Sequence, residues 1–369
     1  MKNVKKINIG IDKIGKIYHI ADVHIRNLKR HSEYRDVFSQ LYGYILSTMS
    51  ETDIIVVAGD IVHAKTDMSP EVVNLTQEFF SRLSDLLPTI VIPGNHDANL
   101  SNPSRMDALQ PIVNALRLPK LHYIRDSGSW HIANCIFTHQ SVFDDSPGFP
   151  SPLDVALCDH KIALFHGPVD KIITDHGFVI ENKKINVSNF DGYDLVLLGD
   201  IHKPNNAVLG NSNIMYPGSL IMQNHAESLY PDHGILVWDM ETLTSKFVTI
   251  PNEFGYVTVD IEDGKVVSNS HIPNRPRMRV RVKNTKTSEL NKLIAELKKG
   301  RKIEELTIQK VITRKDGGEH GKITLQNVRD VAFQNKLIED LLMETDHLTE
   351  NQLEVVKSIN ADINAKLGS

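Results

Sequence analysis

The stretch DIIVVAGDIVH, residues 53–63, is a short apolar run that ends in a glycine, an aspartate and a histidine. Runs of four to six residues rich in Ile and Val predict buried strands. Four further apolar runs also end in polar residues: IYHIADVH at 17–24, TIVIPGNHD at 89–97, KIALFHG at 161–167 and DLVLLGD at 194–200. The chain therefore repeats one arrangement, a buried strand whose C-terminal end carries chemically active side chains.

Segments with helical spacing separate the first three of these strands. They cover Glu33–Met49 and Pro70–Leu87, and the second begins with a proline and a glutamate suited to a first helical turn. Later apolar runs at 234–240, 246–251 and 256–263 follow one another with no helix between them. The order therefore predicts an α/β fold with added antiparallel strands, in which two sheets pack on each other with helices outside.

The overall composition narrows the class of protein. The chain has 369 residues, more than one domain of about 150, with 41% hydrophobic and 24% charged residues, as in ordinary globular proteins. No apolar run has the length of a membrane span, and the N-terminus lacks the apolar stretch of a signal peptide. We therefore expect an intracellular protein of the cytoplasm, nucleoid or nucleus, neither secreted nor bound to a membrane.

The cysteine count limits the chemistry of any metal site. The chain has two cysteines, Cys135 and Cys158. Two thiols cannot form a disulfide framework or a four-thiolate zinc site. Any metal must therefore be held by His, Asp and Asn side chains.

Charge is distributed unevenly along the chain. Residues 275–310 contain twelve Lys or Arg and four acids, a local net charge of +8, whereas residues 1–274 carry −10. An acidic region suits metal binding, and a basic block can meet a polyanion. A solvated helix face is the plainer interpretation of such a basic run.

Three domains are predicted from these patterns. Residues 1–254 form the large domain, and residues 255–322 form a small α+β domain with a strand at 277–283, a helix at 288–299 and a further strand. Residues 323–369 form C-terminal helices, the last with an apolar stripe. That stripe can pack on the chain's own core or dock a partner helix.

The polar residues at the five strand ends form the candidate site. Each one alone is more often a turn former or a helix cap. The carboxyl ends of neighbouring strands in one sheet converge on a common crevice, so together they predict one site. Its residues are Asp22, His24, Asp60, His63, Asn95, His96, Asp97, His166, Asp200 and His202.

This inventory suits a pair of divalent metal ions. Carboxylates and imidazoles are hard and borderline donors, and one carboxylate can bridge two ions about 3.5–4 Å apart, an arrangement that hydrolyses phosphate esters. Asp60 lies in the middle of the set and is the natural bridge. Glycines beside the ligands let each strand turn sharply.

The motifs resemble those of calcineurin-like metallophosphoesterases. The shared patterns are DVH at 22–24, GDIVH at 59–63, GNHD at 94–97, HG at 166–167 and LGDIHKP at 198–204. Finer details resemble DNA double-strand-break repair nucleases typified by SbcD, namely DGYD at 191–194 and YPGSL at 216–220 followed by Gln223 and Glu227. The resemblance covers about residues 16–240 and extends more loosely beyond them. It implies a sandwich of two mixed β-sheets flanked by helices, a small α+β capping domain and C-terminal helices.

The resemblance also implies a role for each site residue. One ion would be held by Asp22, His24, Asp60 and His202, and the other by Asp60, Asn95, His166 and Asp200. His96 would stabilise the transition state or act as general acid, with His63 beside it and Asp97 orienting it. The ions would be Mn²⁺, with Mg²⁺ as the alternative, and the nucleophile a metal-activated water.

Asp200 departs from the family pattern, which usually has His at this position. Aspartate can still bind Mn²⁺ or Mg²⁺. A harder oxygen donor should favour those ions over Zn²⁺.

The resemblance implies a two-metal DNA nuclease, exonuclease or endonuclease, of an SbcCD-type repair and recombination complex. The alternatives are a phosphomonoesterase or cyclic-nucleotide phosphodiesterase with the same metal site, and a structural subunit with a degenerate site. Lys and Arg strengthen binding to a DNA backbone because they release its counterions, and the basic block therefore favours the nuclease. The candidate DNA contacts are Arg275, Arg277, Arg279, Arg281, Lys298 and Lys299. The expected partners are DNA, an SbcC-like coiled-coil ATPase docked on residues 323–369, and a second copy of the chain.

Overall fold

The computed structural model describes residues 4–146, 148–152, 158–174, 177–182, 184–268 and 271–311. The predicted C-terminal helices and the end of the predicted small domain lie outside these residues. None of the described helices has the length and apolar character needed to cross a membrane.

The elements follow one another largely as the sequence predicted. In chain order they are β1 (Lys5–Ile7), β2 (Lys16–Ile20), α1 (His31–Thr48), β3 (Ile54–Ala58), α2 (Pro70–Leu86), β4 (Thr89–Ile92), α3 (Gln110–Leu116), β5 (Leu121–Tyr123), β6 (Gly128–Ile132), β7 (Cys135–Gln140), β8 (His160–His166), β9 (Leu195–Gly199), β10 (Asn206–Val208), β11 (Asn211–Tyr216), β12 (Gly234–Asp239), β13 (Thr244–Thr249), β14 (Phe254–Glu262), β15 (Lys265–Val266), β16 (Arg275–Lys283), α4 (Thr287–Lys298) and β17 (Glu305–Lys310).

Two mixed sheets form a sandwich, which confirms the predicted fold class. One has the strand order β13-β12-β2-β3-β4-β5 and the other β1-β6-β7-β8-β9-β11-β10. Alternate residues of β2 face opposite ways: Ile17 packs in the core between the sheets, while Tyr18 packs with α1 and α2. Helices therefore cover the outer face of the six-stranded sheet. The outer face of the seven-stranded sheet packs against apolar residues of 149–190 that lie outside its strands, such as Phe149 and Phe190.

The five strand ends that carry the candidate site residues come from both sheets. The expectation that they belong to one sheet was therefore wrong. β2, β3 and β4 are parallel neighbours in the six-stranded sheet, and β8 and β9 are parallel neighbours in the seven-stranded sheet. The ends still meet, because residues of both groups contact one another at one edge of the sandwich. For example, the His166 Nδ1, at the end of β8, donates to the carbonyl of Ala58, at the end of β3, over 2.7 Å.

A third, smaller sheet has the order β15-β14-β16-β17. β16 and β17 pair in parallel with α4 between them in sequence, the predicted β-α-β unit. The even-numbered residues of β16, such as Met278 and Val280, pack in a core with Leu290 of α4. The odd-numbered residues, all Arg or Lys, lie on the opposite face.

A buried ion-pair network connects this sheet to α1. The Glu33 carboxylate is fully buried, and it accepts hydrogen bonds from Arg30 Nε at 2.8 Å and Asn252 Nδ2 at 3.1 Å. Arg277 Nη1 of β16 lies 2.8 Å from Glu33 Oε2. Burial alone would raise the pKa of Glu33, but Arg30 and Arg277 outweigh it and hold the pKa below its usual value.

Replacing Glu33 by glutamine should destabilise the protein by about 3 kcal/mol, because it removes the buried counter-charge that Arg30 and Arg277 share and leaves Arg277 with the exposed Glu305 at 3.7 Å. Urea unfolding of the full chain measures this. Glu78→Gln is the matched control, since Glu78 and Arg35 form an exposed pair with side chains 46% and 48% exposed, and its loss should cost less than about 1 kcal/mol.

The loss of stability caused by Glu33→Gln should become smaller as the pH falls. A carboxyl whose pKa is lower in the folded state than in the unfolded state stabilises the folded state. This stabilisation is complete above the unfolded pKa of glutamate, about 4.3, and is lost as the pH falls through the folded pKa. The difference between wild type and Glu33→Gln should therefore shrink in acid. A difference that stayed constant down to acid unfolding would contradict the assignment.

Candidate metal centre

The first group of predicted ligands comprises Asp22, His24 and His202. The His24 and His202 Nε2 atoms lie 3.0 Å apart. Asp22 Oδ1 is 3.9 Å from each of these nitrogens. The three residues thus present one ligand atom each within the span of a single coordination sphere.

The second group lies around His166. Its Nε2 is 3.4 Å from Asp60 Oδ1, 3.9 Å from Asp200 Oδ1 and 3.1 Å from the side-chain amide of Asn95. His166 Nδ1 donates to the Ala58 carbonyl, so Nε2 is the nitrogen that faces these groups and that would bind a metal ion.

Asp60 lies between the two groups. Its Oδ2 is 3.5 Å from His24 Nε2, and its Oδ1 is 3.4 Å from His166 Nε2. One carboxylate therefore presents one oxygen to each group, the geometry expected of a bridging ligand.

The donor set fits divalent cations. Asp22 and Asp60 are buried carboxylates, and buried anions need cations or protons to compensate them. Burial raises the pKa of Asp22 to about 7. His166 is also buried, which alone would lower its pKa, but the surrounding carboxylates raise it well above the usual value. The cluster thus attracts positive charge, and protons and metal ions compete for it.

The backbone at four of these positions lies in the left-handed region. The φ angles are 53° at Asp22, 50° at His24, 54° at Asp60 and 103° at Asp200. This conformation is uncommon for residues other than glycine and concentrates at functional sites. Local hydrogen bonds hold it, among them the Asp200 N–H to the Asp22 carboxylate at 3.1 Å.

Two glycines are required by close approach. A Cβ at Gly94 would lie 2.1 Å from Asp60 Oδ1, and one at Gly59 would lie 2.3 Å from His166 Nδ1. Gly59 also has a φ of +86°. Any side chain at either position would displace a predicted ligand.

His96 lies beside the cluster with its ring fixed by the chain. Its backbone N–H donates to Asp60 Oδ1 over 2.8 Å, and its Nδ1 donates to the His63 carbonyl over 2.6 Å. The His63 ring stacks on it with centroids 5.5 Å apart. The remaining ring nitrogen, Nε2, is therefore the one with which His96 can act on a substrate.

Asp97 has a different position from the one predicted. Its buried carboxylate accepts backbone N–H bonds from Ile61 at 3.2 Å, Val62 at 2.9 Å and Gly94 at 2.9 Å. It therefore holds the loop after β3 against the loop after β4. The His63 carbonyl, which accepts the His96 Nδ1–H, orients the His96 ring.

Two cations near the cluster were missed in the sequence. Arg26 Nε lies 3.4 Å from Gln223 Oε1, and Lys65 Nζ lies 3.3 Å from the Asn95 carbonyl. Both follow a ligand motif by two residues, which is the only sequence signal that could have indicated them. They place positive charge beside His63 and Asn95.

The predicted DNA contacts on β16 are largely paired with carboxylates. Arg275 Nη2 lies 2.7 Å from Glu304, and Arg281 Nε lies 2.6 Å from Asp260. The Arg277 side chain is 4% exposed, and its charge is directed to Glu33. Arg279 instead lies between Thr258 and Thr307 on the neighbouring strands.

Lys298 and Lys299 are exposed at the C-terminal end of α4. They and Arg279 are thus the predicted contacts for which the structure shows no carboxylate partner among the described residues.

A cavity of about 280 Å³ adjoins the second group of ligands. Its lining includes the predicted ligands Asn95, His166 and Asp200, together with Phe165 and Lys184. Its lining also includes Asp145, whose Oδ1 lies 3.6 Å from Lys184 Nζ, so a carboxylate balances the charge of this lysine.

Comparison with known proteins agrees with this geometry. Residues 15–204, just over half of the chain, match the family described as "Calcineurin-like phosphoesterase". An uncharacterised protein, R555, of Acanthamoeba polyphaga mimivirus is 41% identical over 306 residues, which cover 80% of this chain and 22% of that protein.

Other relatives have names that state a function. The "Probable exonuclease subunit 1" of Escherichia phage T5 is 27% identical over 206 residues, or 54% of this chain and 56% of that protein. The "DNA double-strand break repair protein Mre11" of Methanosarcina mazei is 27% identical over 261 residues, or 68% of this chain and 41% of that protein. The matches therefore span between about a fifth and just over half of these relatives. With the sandwich and its cluster of carboxylates and imidazoles, the match over residues 15–204 shows that this chain belongs to the calcineurin-like phosphoesterase family.

Proposed function

We propose that this protein is a DNA nuclease that hydrolyses phosphodiester bonds with two divalent metal ions. The observation that carries the proposal is the position of Asp60, which presents one carboxylate oxygen to each of two donor groups. A bridged pair of ions is an arrangement common to nucleases and phosphatases. The named relatives, a phage exonuclease subunit and a DNA-break repair protein, favour the nuclease.

The two donor groups divide the ligands as follows. Asp22, His24, Asp60 and His202 would hold one ion, and Asp60, Asn95, His166 and Asp200 the other. Mn²⁺ is the ion we propose, with Mg²⁺ as the alternative, since oxygen donors are numerous and thiolates are absent. When bound, the ions would activate the attacking water and offset negative charge on the phosphate.

His96 would protonate the departing 3′ oxygen. The His63 carbonyl accepts the His96 Nδ1–H, so the proton that can be transferred sits on Nε2. The hydrogen bond from the His96 N–H to Asp60 fixes this residue to the bridging ligand. An imidazole can hold and donate a proton, which suits it to this transfer.

The cavity and the cations near the cluster favour a polynucleotide substrate. A base or sugar next to the scissile phosphate would find Phe165 and Lys184 in the cavity lining. Arg279, Lys298 and Lys299 would contact DNA farther along, whereas Arg275 and Arg281 are balanced by carboxylates and should contribute little. We leave Arg277 out of this surface because it is buried.

The wider assembly is part of the proposal. Intracellular action in DNA repair and recombination, a homodimer and an SbcC-like ATPase docked on residues 323–369 rest on the motifs that resemble SbcD. Residues 323–369 lie outside the described part of the chain.

An assay of several phosphate esters tests the substrate class. The protein should cleave linear duplex DNA in Mn²⁺ and leave p-nitrophenyl phosphate and cyclic nucleotides nearly untouched. The opposite preference would establish the phosphomonoesterase or cyclic-nucleotide phosphodiesterase. Binding of DNA and metal without hydrolysis of any ester would indicate a structural subunit.

Asp200 should determine which metal the second group prefers. Asp200→Ala should weaken one ion about 10- to 100-fold or more and spare the other, because the loss of even an outer partner costs this much. Asp200→His should raise the affinity for Zn²⁺ relative to Mn²⁺, since imidazole is the softer donor. Calorimetric titration with each metal measures both. Unchanged affinities in Asp200→Ala would show that Asp200 is a turn residue only.

A further inference from the structure

The segment that follows β11 has no part in the chemistry proposed above. It contains the residues YPGSL at 216–220, then Gln223 and Glu227. Glu227 begins a short 3₁₀ turn, Glu227–Leu229, and its carboxylate is fully buried. A buried carboxylate needs hydrogen-bond donors, so the identity of its donors indicates its role.

Four donors surround the Glu227 carboxylate. Its Oε1 accepts from His202 Nδ1 at 2.9 Å and from Asn224 Nδ2 at 2.8 Å. Its Oε2 accepts from the Ser219 hydroxyl at 3.0 Å and from the Gln223 N–H at 2.7 Å. Oε1 therefore holds His202, a predicted metal ligand, while Oε2 holds the loop of residues 219–223 that precedes Glu227.

We propose that Glu227 is a positioning residue for His202, which it fixes as the Nδ1–H tautomer with Nε2 directed at His24 and Asp22. This inference rests on the proposed function, since it assigns His202 to one of the two ions. With Nδ1 protonated, the lone pair is on Nε2, the nitrogen 3.0 Å from His24 Nε2. A carboxylate on the far nitrogen also makes an imidazole a stronger ligand.

The other histidines of the cluster support this assignment by comparison. His166 also donates from Nδ1, but its acceptor is the neutral Ala58 carbonyl at 2.7 Å. His24 Nδ1 is buried without a hydrogen-bond partner among the described residues. His202 is therefore the ligand whose orientation depends on a charged residue from another part of the chain.

The same contacts join His202 to the loops around the cluster. Gln223, whose N–H bonds to Glu227, also receives the Arg26 guanidinium at 3.4 Å. The Met222 carbonyl accepts from Arg30 at 2.7 Å. Glu227 thus holds His202 against a segment that is itself fixed at two further points, which restricts the ring to one position.

Two variants separate positioning from simple support of the loop. Glu227→Gln keeps an oxygen that can accept from His202 Nδ1 but removes the charge, whereas Glu227→Ala removes both. Ser219→Ala is the matched control, because it deletes a donor to Oε2 and leaves the Oε1 contact to His202 intact.

The first readout needs no metal and no activity. Nitrogen NMR of the metal-free full chain with ¹⁵N-labelled histidine reports each tautomer, and His202→Gln identifies the His202 signal. Wild type, Ser219→Ala and Glu227→Gln should show His202 as the Nδ1–H form, and Glu227→Ala a mixture of both forms. A pure Nδ1–H form in Glu227→Ala would overturn the proposal.

The second readout is Mn²⁺ affinity by calorimetry. Glu227→Ala should weaken one ion about 10- to 100-fold and spare the other, Glu227→Gln should weaken it less, and Ser219→Ala should leave both unchanged. Equal losses in Ser219→Ala and Glu227→Ala would overturn positioning in favour of loop support. Thermal unfolding of the metal-free proteins confirms that each variant is folded, and Glu227→Gln decides the question if Glu227→Ala is not.

These readouts separate the inference from the proposed function. If wild type binds Mn²⁺ and the tautomer responds to Glu227 but no DNA is cleaved, the positioning role stands and the nuclease proposal fails. If DNA is cleaved but the His202 tautomer and the Mn²⁺ affinity do not change when Glu227 is replaced, the positioning role fails and the nuclease proposal stands.

Discussion

Replacement of Asp60 by asparagine is expected to reduce DNA cleavage by more than about 1,000-fold, and to weaken the binding of both metal ions. Loss of a residue that only orients a ligand costs about 10- to 100-fold in affinity or activity, and loss of the shared ligand should cost more. Asp60 presents one oxygen to His24 and one to His166. Asparagine keeps the size and an acceptor for the His96 N–H but has one oxygen and no charge.

Single-turnover cleavage rates and Mn²⁺ titration calorimetry measure the two effects. Asp53→Asn is the control: Asp53 is a fully buried carboxylate just before β3, whereas Asp60 follows the other end of that strand. Its carboxylate accepts hydrogen bonds from the backbone N–H groups of Lys16 and Ser50, so its loss should affect stability and leave metal affinity unchanged. An Asp60→Asn protein that bound two Mn²⁺ ions with wild-type affinity would disprove the bridge.

Replacement of His96 by asparagine should lower the maximal cleavage rate by about 100- to 10,000-fold, the range for a general acid. The KM for DNA and the number of bound Mn²⁺ ions should change little, because the imidazole acts on the transition state and not on the bound ground state. Steady-state kinetics with metal analysis of the same preparation checks this.

His122→Asn is the control for the His96 change. His122 is on β5, which pairs with the strand that precedes the His96 loop. A loss of bound metal in His96→Asn would move His96 into the ligand set. A rate within a few-fold of wild type would remove it from the chemistry.

The strands were predictable because their signal is local. An apolar run such as IIVVA at 54–58 needs no distant partner to be recognised as a buried strand. The sheet to which each strand belongs was not predictable in this way. β8 and β9 pair with each other in the seven-stranded sheet, and nothing within either run distinguishes this from addition to the sheet of β3.

In the candidate site, too, some features have a local sequence signal and others depend on distant residues. The chemical character of its residues could be read from the strand ends, and the structure brings the predicted ligands together. Their precise environment depends on residues far apart in sequence. Asp97 contacts backbone 35 and 36 residues away, and the His202 contact to Glu227 was visible only as an unexplained motif.

The charge of residues 275–310 is a further example. A count along the sequence gives a basic block, but it includes none of the acidic residues that neutralise it from elsewhere. Asp260 faces Arg281 from β14, and Glu33 faces Arg277 from α1. The basic surface that we propose for DNA contact is therefore smaller than the sequence indicated.

The central claim is that this cluster hydrolyses DNA with bound metal ions. The most direct test is cleavage of end-labelled linear duplex DNA by the wild-type chain in Mn²⁺, beside His96→Asn prepared in the same way. The account predicts cleavage by wild type that stops with a chelator and is at most about one hundredth as fast in His96→Asn. Equal rates for the two proteins, or no cleavage by a folded wild-type chain with Mn²⁺ bound, would contradict it.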